Sequence, residues 1–214
     1  MMDYWIAVTS YLLEGFKVTL LLLSVTAILA FPLGLLGAVI HVNAPKPVKF
    51  LIDIYTSITR GTPLLLQLFF VMYGLPMMGI TLDRMAVAIV TFVLNYTAYF
   101  IEIFRGGLLS IDKGQAEAAQ VLGLTRFQSL TEIVIPQAFK RVLPTLANET
   151  ITLLKDTALV TSIAVGELLR NAREIVSRDL RLEAFFITAA IYLIATYVLI
   201  FVFRHFEKKW RYFQ

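Results

Sequence analysis

The sequence predicts an all-α integral membrane protein: five transmembrane helices, with a structured cytoplasmic loop between the third and the fourth. Three observations carry this. Of the 214 residues, 58% are hydrophobic and only 16% charged, against about 25% charged in an ordinary soluble domain, and mean hydropathy is +0.77. The apolar residues gather into runs of about 20, the length that crosses a hydrocarbon core of about 30 Å as a helix. Lysine and arginine are spread unequally over the segments between those runs, which sets orientation. Residues 1–214 therefore read as one membrane domain without a separate soluble one.

Four runs are plain: 17–42, 51–77, 84–104 and 184–203. Pro32 predicts a kink in the first, and Gly34 and Gly37 permit a close helix crossing. Asn43-Ala44-Pro45-Lys46-Pro47 marks one turn, and Gly74, Pro76 and Gly79 mark the next. Asp3 and Glu14 stand where a signal peptide would be basic, and the apolar run 18–40 is too long for one, so no cleavable signal is expected. Lys46 and Lys49 after the first run place the N-terminus outside. Four spans would return the C-terminus to that side, yet its tail carries Arg204, Lys208, Lys209 and Arg211 and belongs in the cytoplasm. The extra span is 142–168, which hydropathy underrates because it contains Asn148, Glu149, Lys155 and Asp156. Five spans leave eleven Lys and Arg inside, Arg105, Lys113, Arg126, Lys140 and Arg141 among them. Five remain outside (Arg84, Arg170, Arg173, Arg178 and Arg181), the last four interleaved with Glu174, Asp179 and Glu183.

A charge at mid-bilayer costs about 2.5–3.5 kcal/mol on insertion scales, so a helix carrying Lys155 and Asp156 must turn them to protein or water. Glu149, Thr152 and Asp156 are spaced i, i+3, i+7 on one helical face. Asn95, Tyr99 and Glu102 share a face of the third span, as do Thr56, Arg60, Pro63 and Gln67 of the second. Three such stripes converging predict a polar path or ligand site near the midplane. The plainer reading is that Glu102 pairs with Arg105, and Arg60 with Asp53 or Asp156, to fix helix packing. Arg60-Gly61-Thr62-Pro63 also interrupts the second span, freeing backbone groups that need partners. Transporters place substrates at such interruptions; a simple packing kink is the alternative.

Several chemistries have no residues to perform them. There is no cysteine, hence no disulfide and no thiolate metal site, and His41 and His205 stand far apart at the expected membrane surfaces. No Gly-x4-Gly-Lys-Ser/Thr phosphate loop occurs, and no catalytic constellation competes for a role. The net charge of +4 is explained by its distribution across the bilayer and calls for no nucleic acid. No cofactor or metal is expected on this chain.

The loop at 105–137 is too polar to span and too patterned to be slack. Ser110 or Asp112 is placed to cap a short helix carrying Glu117, Ala118 and Ala119, which Leu122-Gly123-Leu124 ends. Thr125 is placed to cap a second short amphipathic helix with Phe127, Leu130, Ile133 and Val134, closed by Pro136. The two would form a compact knob, or else a helix pair lying on the lipid surface.

Glu117-Ala118-Ala119, then Gly123, Ile133, Ile135 and Pro136, resembles the signature loop of permease subunits of ABC importers, with Ile135 replacing the usual Leu. Further blocks resemble the polar amino-acid branch of that family, the histidine-, glutamine- and arginine-type permeases. They are Arg60-Gly61-Thr62-Pro63-Leu64-Leu65-Leu66-Gln67, Asn95-Tyr96-Thr97-Ala98-Tyr99, Glu102 with Arg105-Gly106-Gly107, and Lys155-Asp156-Thr157. The resemblance implies a subunit of the bacterial cytoplasmic membrane that pairs with a second permease subunit, a copy or a paralogue. It implies two separate ATPase subunits that bind the ATP and Mg, and an extracytoplasmic solute-binding protein. The loop at about 108–136 would be the coupling helix docking on the ATPase, through Glu117, Ala118, Ala119, Gly123, Ile133 and Pro136.

For the substrate, an amino-acid zwitterion needs both charges answered. Glu102 and Asp156 suit an ammonium, Arg60 and Lys155 a carboxylate, and Asn95, Tyr96, Thr59 and Ser57 add neutral partners. This set leans toward a basic amino acid such as arginine, histidine or lysine, with glutamine or glutamate next. A half-size carrier or channel working without an ATPase is the alternative, and it has no use for the patterned loop. A non-transporting scaffold would gain nothing from charged midplane stripes.

Overall fold

The computed structural model describes residues 2–210; Arg211 of the basic tail lies outside them. The described residues are helical throughout, joined by short turns. Helix α1 spans Met2–Asn43. Helix α2 is Lys46–Gly61 and α3 is Leu64–Met77, the latter passing through a π-turn at Phe70–Gly74. Helix α4 is Arg84–Leu109 and α5 the short Lys113–Val121. Helix α6 starts at Arg126–Gln128, widens into a π-turn at Ser129–Val134 and runs on as Ile135–Asp156. A 3-10 segment, Thr157–Ile163, leads to α7 (Leu168–Asp179) and α8 (Glu183–Trp210).

Among the described residues, three stretches are long and apolar enough to cross a membrane: Asp3–Asn43, Arg84–Leu109 and Glu183–Lys209. Helices α2 and α3 meet that criterion only as a pair, bent by 102° at the break between them. The expected span 142–168 is not one helix. It belongs to α6 up to Asp156 and then tightens, and the Thr157 and Ser162 hydroxyls there donate to carbonyls three residues back, at Leu154 (2.7 Å) and Leu159 (2.6 Å). The β-branched Thr157, Val160, Thr161 and Ile163 lower the α-helical preference of this stretch. Ala164 ends it in the left-handed region at φ 62.

Helix α1 is longer than its apolar run. At 1.5 Å per residue it measures about 63 Å, twice the hydrocarbon thickness, and it runs unbroken through Pro32. Its first turns are held by α7: Tyr4 donates to Asp179 (2.6 Å), Tyr11 to Glu174 (2.6 Å) and the Asn171 amide to the Tyr11 carbonyl (2.8 Å). Arg181 lies over the Tyr4 ring at 5.1 Å. Hydrogen bonds from Tyr11 and Arg170 hold the Glu174 carboxyl below its ordinary pKa. Val8, Leu12, Leu168, Ala172, Ile175 and Ala184 form the apolar cluster beneath. Buried Glu167 caps α7, accepting from the backbone N–H of Leu169 (2.8 Å) and Arg170 (2.6 Å) and from the Tyr192 hydroxyl (3.1 Å).

The main core lies where α1 crosses α4. Gly34 and Gly37 allow the approach that the sequence leads one to expect: a Cβ on Gly34 would fall 2.4 Å from the Phe100 Cβ. Phe31 and Phe100 stack at 4.4 Å beside it. A second close crossing joins α4 to α6, where a Cβ on Gly107 would meet the Val142 Cγ1 at 2.4 Å. Helix α8 leaves Phe186, Ile194, Tyr197 and Phe201 exposed, the composition of a lipid-facing side.

Candidate functional site

Three elements converge on one cavity. The first is the α2–α3 break. Pro63 has no N–H to continue α2 and pushes Thr62 into an extended conformation (φ -119, ψ 144), so the chain turns here and Gly61, Thr62, Pro63 and Leu64 line the cavity. The second is α4, which contributes Asn95, Tyr96 and Tyr99. The third is α6 with Glu149, Thr152 and Asp156, the i, i+3, i+7 stripe. Together with Arg60 and Leu159 they line an open cavity of about 560 Å³, a volume in the range of small-molecule sites.

The Tyr96 hydroxyl donates to Asp156 Oδ2 at 2.7 Å, which aims that carboxylate from α6 toward α4. Glu149, half-buried about two turns earlier, faces the same space. The Arg60 guanidinium lies 5.5 Å from the Tyr99 ring centroid and 3.4 Å from Glu102 Oε2. Glu102 is gripped by Arg105 through two bonds, at 3.1 Å and 2.8 Å. The cavity thus offers two carboxylates and a cation, plus the hydroxyls and amide of Tyr96, Tyr99, Thr152 and Asn95.

Of the residues singled out in the sequence as substrate ligands, Arg60, Asn95, Tyr96 and Asp156 line this cavity. Glu102 sits one turn away in its ion pairs, and Asp53 pairs with His41 (2.7 Å) instead of Arg60. Lys155 and Ser57 are exposed and do not line the cavity. Thr59 lines the neighbouring apolar hollow, and its carbonyl accepts from Gln67 at 2.8 Å. Glu149, Thr152 and Tyr99 belong to the stripes but carry no binding role in the sequence reading; their spacing is the available signal. Gln67 is also on a stripe, with nothing in the sequence to show what it touches.

The loop after α4 is built from caps. Asp112 accepts from the Gly114 N–H at 2.6 Å to start α5. Helix α5 ends in paired bonds, Gly123 N–H to Gln120 (3.0 Å) and Leu124 N–H to Ala119 (3.0 Å), with Gly123 at φ +91. Thr125 and Gln128 form a reciprocal capping box that starts α6. Glu117, Ala118 and Gly123 are exposed, Ala119 is buried, and Ile133 and Pro136 are half-buried. Val121, Leu122 and Phe127 make an apolar tip, each more than 70% exposed. Pro136 does not close a second short helix as expected. It falls in the first turn of Ile135–Asp156, directly after the π-turn, whose wider coil accommodates a residue lacking the N–H. The knob is therefore one short helix set against the start of a long one.

Residues 30–212 match the family described as binding-protein-dependent transport system inner membrane component. The chain belongs to that family. It is 38% identical to the arginine transport system permease protein ArtQ of Bacillus subtilis (strain 168), covering 93% of this chain and 92% of that one. It is 38% identical to the L-cystine permease TcyB of the same organism, with 91% and 84% covered. Against the glutamine permease GlnP of Escherichia coli (strain K12) identity is 36%, with 92% of each chain covered. The fold superposes on a crystal structure of an amino acid ABC transporter with histidines at a TM-score of 0.88 and 33% identity, over 98% of both chains. An inward-facing MetNI methionine ABC transporter, 19% identical, shares the fold at a TM-score of 0.78. The chain is thus the integral inner-membrane permease subunit of an amino acid ABC importer. Permeases of this family work with ATPases and substrate-binding proteins, and the ATPase activity resides on separate subunits.

Proposed function

We propose that this permease carries basic amino acids, arginine, lysine or histidine, through the cavity between the α2–α3 break, α4 and α6. The observation that carries this reading is the charge of the lining. Glu149 and Asp156 both face the cavity, whereas its one cation, Arg60, leans toward Glu102 at 3.4 Å. An excess of carboxylates favours a substrate with a positive side chain as well as an α-ammonium. Arg60 remains placed to meet the α-carboxylate. The test is uptake of radiolabelled arginine by cells depending on this permease, challenged with excess lysine, histidine, glutamine or cystine. The basic amino acids are expected to compete and glutamine to compete weakly; efficient competition by glutamine or cystine alone rejects the reading.

The reading includes five spans, with α6 and its 3-10 extension as the fourth, the N-terminus outside and the tail in the cytoplasm. The contact between the N-terminal turns of α1 and α7 supports it, since charge bookkeeping assigns both to the outer side. The partners are two ATPase subunits, which bind the ATP and Mg, a second permease subunit and a solute-binding protein. The apolar tip Val121, Leu122 and Phe127, next to exposed Glu117, is the surface offered to the ATPase. Gly123 turns the chain at φ +91 with open space around it, so a side chain there strains the backbone without a clash. Glu117→Lys and Gly123→Asp are expected to reach the membrane in normal amounts and lose transport. Substrate-stimulated ATP hydrolysis by the purified complex should fall to its unstimulated rate. Unchanged transport by both variants removes the coupling role.

A further inference from the structure

We propose that Gln67 is a positioning residue that sets which face of the Asn95 amide the substrate meets, and so makes this wall of the cavity an acceptor for ammonium groups. The inference rests on the amino-acid cavity described above and goes beyond it to a residue that does not line that cavity. The chain of cause begins at the α2–α3 break. The last carbonyls of α2 have no helical N–H to bond. Thr62 Oγ1 donates to the Ile58 carbonyl at 2.9 Å. The Gln67 side chain, reaching back from α3, puts its Nε2 on the carbonyls of Thr59 (2.8 Å) and Thr62 (3.2 Å) and on Thr62 Oγ1 (2.9 Å). Two of these partners are backbone carbonyls, which only accept. The nitrogen end of Gln67 is thereby fixed toward the break, and its Oε1 must point the other way.

That oxygen faces Asn95, whose Nδ2 donates to it at 3.0 Å. An asparagine amide is two-faced, and its partners decide which end goes where. With Oε1 presenting only lone pairs, Asn95 has to turn its nitrogen to Gln67. Its Oδ1 is left without a protein partner among the described residues, on a residue that is 4% exposed and lines the cavity. With its nitrogen engaged by Gln67, Asn95 has only this unfilled acceptor to offer the cavity that it lines with Tyr96, Asp156 and Glu149, and such an acceptor complements an N–H donor and repels a carboxylate. A flipped Asn95 would present donors instead and reverse that preference. A backbone break is thus read out as substrate polarity through two side-chain amides.

The test uses uptake of radiolabelled arginine in cells whose only copy of the chain is the variant, normalised to the amount in the membrane. Gln67→Met keeps the length of the side chain and removes both polar ends, freeing Asn95 to rotate; KM is expected to rise about tenfold with the maximal rate within about twofold. Gln67→Glu keeps an oxygen acceptor toward Asn95 in either protonation state, so KM should stay within about threefold of wild type. Asn95→Asp combined with Gln67→Met restores an acceptor whichever way the group turns, and is expected to recover most of the lost affinity. An unchanged KM in Gln67→Met overturns the proposal. So does a KM in Gln67→Glu as high as in Gln67→Met, which would mean that Gln67 merely clamps the break. If Gln67→Met fails to insert, a KM in Gln67→Glu more than about threefold above wild type overturns the proposal. Failure of the basic-substrate reading shows separately, in the wild-type competition profile. Should glutamine prove to be the cargo, the same comparisons run on glutamine, whose α-ammonium makes the same demand on Oδ1.

Discussion

A chain carrying Glu149→Gln and Asp156→Asn together is expected to lose at least about a hundredfold in the apparent affinity for arginine, while still assembling and hydrolysing ATP at its unstimulated rate. The argument is electrostatic. A hydrogen bond to a charged partner contributes about 1.5–3 kcal/mol, and 1.4 kcal/mol is tenfold in affinity. Neutralising two such partners therefore costs between about two and four powers of ten. Both side chains face the cavity from one stripe of α6, and both replacements keep their shape. The amide oxygen introduced by Asp156→Asn would still accept from the Tyr96 hydroxyl, which lies 2.7 Å from the Asp156 carboxylate, so the α4–α6 contact survives. Single variants are expected to lose about tenfold each. Glu102→Gln is the internal contrast: its carboxylate does not line the cavity and pairs with Arg105 and with the cavity's Arg60, which keeps its own charge in the variant, so KM should move by less than about threefold while the rate falls. Uptake kinetics at several arginine concentrations separate these cases. Wild-type affinity in the double variant would show that the carboxylates face the cavity without holding its cargo.

How far the sequence foretold this arrangement depends on the range of the interaction involved. Local devices were legible residue by residue. Asp112 and Thr125 cap helices, Gly123 turns one off, and Pro63 breaks another, because each acts within four residues of itself. The polar stripes were legible too, since a helix of 3.6 residues per turn carries Glu149, Thr152 and Asp156 to one face whatever surrounds it. Partner choice was not. The sequence offers Arg60 either Asp53 or Asp156, and the packing of α2 on α4 gives it Glu102 and leaves Asp53 to His41. The sequence places the first apolar run at 17–42, whereas the helix begins at Met2, where α7, remote in sequence, supplies acceptors to Tyr4 and Tyr11. Pro136 looked like a stop, and the widened coil before it turned it into a passenger. Gln67 is the sharpest case: its three acceptors exist only because the chain bends by 102° there.

The largest structural effect is expected at Gly34. A Cβ there would stand 2.4 Å from the Phe100 Cβ, 3.1 Å from the Phe100 carbonyl carbon and 3.2 Å from the Ile101 nitrogen. Two of those atoms are α4 backbone, so no rotamer change relieves the contact and the helices themselves must part. Separation forfeits dispersion contacts along the whole crossing, including the Phe31–Phe100 stack, and close packing is what holds helices together in lipid. It also displaces the cavity wall, because Asn95, Tyr96 and Tyr99 lie within two turns of Phe100 on α4. Overpacking of this kind costs about 1–3 kcal/mol or more. Gly34→Val should therefore lower the melting temperature of the detergent-solubilised subunit by roughly 5–10 °C and abolish uptake. Gly37→Ala is expected to be milder, since its contacts at 2.7 Å are to the side chain of Ile101, which can rotate away. Gly106→Ala meets nothing within 4 Å and should be neutral or slightly stabilising, as a helical glycine-to-alanine change in open space is. A melting series ordered Gly34→Val, Gly37→Ala, wild type, Gly106→Ala supports the α1–α4 crossing. If Gly34→Val melts with the wild type, the two helices are not in contact at that position.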